Sequence, residues 1–211
     1  MMANKTSNYR EGWRLVALIS AMLVVMTIGV AAVRTFDVDG VRMAVRYTAR
    51  SSLVLFCLAF SARAALTLFP SPWSRWQFRN RRYLGLSFAV SHALHAMAIV
   101  VFAITAPIAF AGVTSAASYI FGGIGYAFIA LMAATSFDRT AAAVGPRAWR
   151  ALHLAGGYYL LVQFTISFGK RMPDMPLYGL FLVPLVAVFV LRMVAMSRRP
   201  SGALTPSTSY E

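Results

Sequence analysis

Residues 83–106 read YLGLSFAVSHALHAMAIVVFAITA, 24 positions without one Asp, Glu, Lys or Arg. A helix rises about 1.5 Å per residue, so about 20 such residues cross a hydrocarbon core of about 30 Å. Five more runs of this kind lie at approximately 15–33, 51–69, 116–137, 148–168 and 175–196. In lipid each crossing segment must satisfy its own backbone hydrogen bonds, so these runs read as helices. The alternating pattern of a membrane barrel is absent. The expected fold is all-α, a polytopic membrane bundle of about six transmembrane helices.

The composition of the 211 residues agrees. They are 59% hydrophobic and 12% charged, with a mean hydropathy of +0.67; a soluble domain carries roughly 25% charged residues. The run at 15–33 follows Lys5, Arg10 and Arg14, as a secretion signal would. It is 19 residues long, against about 7–15 for the apolar region of a signal peptide, and is expected to be a retained helix. The single Cys57 lies inside the second run and has no partner for an internal disulfide.

A net charge of +14 raises the question of nucleic acid. The cations, however, sit between and beside the apolar runs rather than on a soluble stripe. Thirteen fall at the N-terminus, in the 2–3 and 4–5 connections and at the C-terminal end, and six in the opposite connections, with Arg63 near the inner end of span two. The positive-inside rule then places both termini in the cytoplasm, in a cell inner membrane, with the lipid bilayer rather than nucleic acid as partner. The expected division is a cytoplasmic segment at 1–14, the bundle at 15–199 and a disordered tail at 200–211. Prolines 70, 72, 107, 146, 173 and 176 mark the connections, and Pro184 is expected to kink span six. No dinucleotide or P-loop glycine pattern is present.

Only three histidines occur, His92, His95 and His153, and all fall inside apolar runs. Ionisable residues are costly in a bilayer and mark function there by default. His92 and His95 are three apart, on one broad helix face; His153 lies in the first turns of span five. Two imidazoles on neighbouring helices can ligate one haem iron from opposite sides. A packing role in hydrogen bonds between helices is the plainer alternative. Gly156 and Gly157 leave room for either a macrocycle or a neighbouring helix. Depth is the difficulty. His95 stands 12 residues past the start of span three and His153 only 5 past the start of span five, roughly 18 Å against 7.5 Å. Helix tilt, or a helix that extends beyond the membrane, has to supply the difference, and using His92 instead reduces it by roughly 4.5 Å. The acidic residues all lie outside the apolar centres, which argues against a buried carboxylate relay.

Arg81-Arg82-Tyr83-Leu84-Gly85-Leu86, followed by Phe88 and Leu94-His95, resembles the start of the third helix of ferric-reductase-like transmembrane domains, nearest to the haem-binding membrane subunit of the bacterial methionine sulfoxide reductase system. Thr48-Ala49-Arg50 resembles its Thr-Gly-Arg, and Trp149-Arg150-Ala151-Leu152-His153 its Trp-x-x-Leu-His. The similarity runs in order over roughly residues 45–170. It implies a membrane b-type cytochrome acting as an electron-transfer subunit. In that reading His95 and His153 are the axial ligands of haem b, His92 is the alternate, and Arg50 is a propionate partner. The family's further histidine on helix five is replaced by Ile166, so one haem is expected. These residues hold no flavin or NADPH domain, so the electron donor is expected to be a quinol or a separate reductase. Two rival readings are a small channel or transporter whose histidines line a polar path, and a haem-free membrane scaffold.

Overall fold

The computed structural model describes residues 11–198 apart from Thr35. The expected tail at 200–211 and most of the expected N-terminal segment lie outside the described residues. Among those described there are only helices and turns: α1 (Trp13–Ala32), α2 (Val38–Leu68), α3 (Pro72–Thr105), α4 (Pro107–Ala111), α5 (Ala116–Ala134), α6 (Asp138–Val144), α7 (Pro146–Gly169), a 3-10 turn (Pro176–Tyr178) and α8 (Gly179–Ser197).

Five helices are long and apolar enough to cross a membrane: α1, α2, α3, α5 and the Pro176–Ser197 segment that ends in α8. The expected fifth of six spans does form a helix, α7, whose 24 residues would reach about 36 Å. It is less apolar than the others because His153, Gly156, Gly157, Tyr158, Tyr159 and Gln163 interrupt its run. It nevertheless packs within the bundle, against α5 on one side and α8 on the other.

The α2–α3 pair is the frame of the molecule. Its helices have 31 and 34 residues, about 46 Å and 51 Å, and extend well beyond the expected runs at 51–69 and 83–106. Local chemistry sets the ends. Asp37 caps α2 by accepting from the Gly40 N–H at 2.7 Å. A Cβ on Gly40 would stand 2.8 Å from the Ala31 carbonyl oxygen, so the tight α1–α2 connection requires glycine there. Ser71 and Ser74 form a reciprocal capping box with Pro72 in the first turn of α3. The segment from Arg75 to Arg82, expected as a loop, is therefore helix. Two ends of the bundle result: the Pro70 end, where α2 hands over to α3 and α7 begins, and the Asp37 end, where α2 begins and α7 ends.

Along the α2–α3 interface runs a seam of small polar side chains. Thr48, Ser52, Ser87 and Ser91 are fully buried. Ser52 Oγ donates to Ser91 Oγ at 2.9 Å, and Ser51 Oγ lies at the same distance from it. Such residues let two helices approach closely and bond across the contact in a medium that offers no water. Toward α7 and α8 the interior becomes apolar and aromatic, with Leu53, Phe56, Phe88, Leu160, Phe164, Phe168 and Leu185 in one cluster.

Candidate functional site

His95, on α3, faces α2. Its Nδ1 lies 3.1 Å from the Val45 carbonyl oxygen and 3.1 Å from Thr48 Oγ1. The Thr48 hydroxyl donates its own proton to the Ala44 carbonyl at 2.7 Å. A carbonyl oxygen only accepts, so the proton of the neutral ring sits on Nδ1 and the lone pair on Nε2. His153 is held in the same way from its own helix: Nδ1–H donates to the Trp149 carbonyl at 3.0 Å, and the ring stacks on the Trp149 indole at a centroid distance of 4.1 Å. An imidazole whose Nδ1–H is tied to a backbone carbonyl is oriented and in the tautomer that offers Nε2 to a metal.

His92 differs. Its Nδ1 is buried without a hydrogen-bond partner, and its ring packs between Tyr126 of α5 at 4.9 Å and Phe164 of α7 at 5.9 Å. The Tyr126 hydroxyl is also buried and unpartnered. His92 and His95 touch, with ring centroids 5.2 Å apart.

The structure does not bring His153 to the other two. The register of α7 is set at two points. Trp149 Nε1 donates to the Thr135 carbonyl of α5 at 2.9 Å, and Gly156 faces Met132 and Phe128. His153, between them, is level with residues 132–135 of α5, whereas His92 is level with Tyr126. Six or more residues of α5 separate the two levels, roughly 9 Å or more. Counted on α7, the Phe164 ring against His92 is 11 residues past His153, roughly 16 Å. His95 is almost another turn away, toward the Asp37 end. One iron shared by His153 and either of the others needs their ring nitrogens at one level, and this structure places the His153 ring at a different level from theirs.

The glycines fit helix packing rather than a macrocycle. A Cβ on Gly157 would overlap the Phe60 ring of α2, and one on Gly156 would stand 2.9 Å from Met132 Sδ. The space they leave is occupied by side chains of α2 and α5. The region between α3 and α7 is filled by Phe88 and Phe164, with Phe56 of α2 against both rings. Arg50 lies among the rings of Tyr47, Tyr178 and Phe181, its Cζ 5.1–5.5 Å from their centroids. Among the described residues no three His, Cys, Asp or Glu side chains converge as a metal site.

Reading the sequence marked Thr48 only within Thr48-Ala49-Arg50 and missed its contact with His95, together with Val45 and the serines behind them. Their signal was present: Thr48/Ser52 and Ser87/Ser91 each repeat at four residues, the spacing of one helix face. No family model, curated protein or solved structure matches this chain.

Proposed function

We propose that this chain is a membrane b-type cytochrome of ferric-reductase-like character, an electron-transfer subunit whose single haem is ligated by His95. The observation that carries the reading is the Nδ1–H of His95, tied to Val45 and Thr48 on a neighbouring helix, which leaves Nε2 as the free lone pair of a histidine buried in a membrane segment. The order of motifs around Thr48-Ala49-Arg50, His95 and His153 supports it. Six crossings, with α7 as the fifth, put both termini in the cytoplasm of a bacterial cell, in the inner membrane, as the distribution of Lys and Arg favours.

A bound haem supplies a one-electron iron couple. The chain's own part is positional. The Val45 carbonyl and the Thr48 hydroxyl prevent the His95 ring from turning and fix its tautomer. The bonded serines at 51, 52 and 91 hold α2 and α3 at one spacing, so the imidazole keeps its place. Leu53, Phe56, Phe88 and Phe164 keep water from the interior between the two histidine levels. Arg50, 2 residues past Thr48 on α2, offers positive charge to a propionate. In this reading His153 stands at its own level on α7 and is not required for the haem that His95 holds. The donor is a quinol or a separate reductase.

The test is a visible spectrum of detergent-purified protein expressed with haem supplied. A Soret band that shifts on dithionite reduction is expected. A pure, folded preparation without that band, even after haem reconstitution, overturns the proposal in favour of a haem-free bundle.

A further inference from the structure

At the Asp37 end, two arginines from different elements converge on one tyrosine. Arg50 Cζ of α2 lies 5.5 Å from the Tyr178 ring centroid, and Arg171 Cζ, in the turn after α7, lies 5.7 Å from it. Tyr178 itself is buried, with 2% of its surface exposed, and immediately precedes α8. Arg50 Nε is buried and has no hydrogen-bond partner, while Arg171 is exposed. Among the described residues neither forms an ion pair. The ion pairs among the described residues are Arg79–Glu11 and Arg82–Asp138, both at the Pro70 end.

Both guanidinium groups approach the Tyr178 side chain, a partner that leaves their charge uncompensated, and the unmet buried N–H of Arg50 costs free energy. One ligand chemistry relieves both: a tetrahedral oxyanion, with several acceptor oxygens and its charge spread over them. Guanidinium forks match phosphate oxygens in geometry. We propose that Arg50 and Arg171, which meet at Tyr178, form a binding site for a phosphate-type oxyanion. The phosphate comes from an anionic phospholipid headgroup or from solution. The site shares Arg50 with the propionate contact of the haem reading, so its test is run on haem-free protein, where a failure of one does not count against the other.

The experiment has two arms on delipidated full-length protein. Native mass spectrometry measures retention of phosphatidylglycerol against phosphatidylcholine. Thermal unfolding is followed in inorganic phosphate against chloride at equal ionic strength. Saturable binding in the first arm identifies the lipid headgroup, and in the second the free anion. In either case Arg50→Gln and Arg171→Gln should weaken it about tenfold or more, Arg50→Lys less, and Arg198→Gln, the same charge change at the other end, not at all. Arg171 lies on an exposed turn, so its variant reports even if Arg50→Gln fails to fold. The proposal is overturned if neither arm saturates, or if Arg198→Gln weakens binding as much as Arg171→Gln does.

Discussion

The Nδ1 of His95 on α3 and the carbonyl oxygen of Val45 on α2 are 3.1 Å apart, with Thr48 Oγ1 equally close. One imidazole proton thereby joins the two longest helices and sets which ring nitrogen faces the interior. Removing partners that orient a ligating histidine costs about 10–100-fold in metal affinity. Thr48→Val removes one of two acceptors and leaves the Val45 carbonyl. Haem retention in this variant, followed by titration of the apoprotein, should fall by about tenfold, with the helix content in circular dichroism unchanged.

A Cβ on Gly157 of α7 would overlap the Phe60 ring of α2. Gly157→Ala forces a methyl group into the Phe60 ring and should destabilise the protein by about 1–3 kcal/mol, the usual range for overpacking. Phe60→Leu in the same chain should restore part of the loss. Unfolding of the two single variants and the double variant in mixed micelles gives the coupling; additive effects would show that these residues do not meet.

Arg192 of α8 reaches into the same region. Its Nη1 donates to the Phe60 carbonyl at 2.8 Å, and its Cζ stands 3.8 Å from the centre of the Phe60 ring. Replacing it with Met removes a charge-assisted hydrogen bond and a cation–π contact together, and should cost about 2–3 kcal/mol. A lowered midpoint of thermal unfolding is the expected readout, and Arg192→Lys should recover only part of it, because a single ammonium cannot both stack and reach the carbonyl as the planar fork does.

The apolar runs announced the helices but not their lengths. In α2 the cations Arg42, Arg46 and Arg50 break the hydropathy without breaking the helix, and in α3 the stretch from Arg75 to Arg82 does the same. The start of α3 was legible in Ser71-Pro72 with Ser74 three residues after Ser71, a capping pattern read too lightly beside the prolines. The histidines were legible as the unusual residues of the membrane segments, and so was the awkwardness of their depths. Their true levels were not. The position of a residue along its own helix is written in the sequence, whereas the sliding of one helix against another is decided by tertiary contacts such as Trp149 to Thr135 and Phe60 to Gly157.

Topology separates five crossings from six. With α7 crossing, both termini lie on one side; with α7 lying outside the bilayer, they part. Reporter fusions placed in the 112–115 turn and after Arg198 should report opposite sides, the turn periplasmic and the C-terminal fusion cytoplasmic. A periplasmic C-terminal reporter would remove α7 from the crossing helices.

The haem content of three preparations tests the central assignment most directly: the unsubstituted protein, His95→Ala and His153→Ala, each expressed with haem supplied and measured by pyridine haemochrome against protein concentration. With His95 as the ligand and His153 at another depth, the first should carry one haem per chain, His95→Ala should lose it, and His153→Ala should keep it. Loss of haem in His153→Ala to the same extent as in His95→Ala would show that the two imidazoles share one iron and would contradict the separation of their levels.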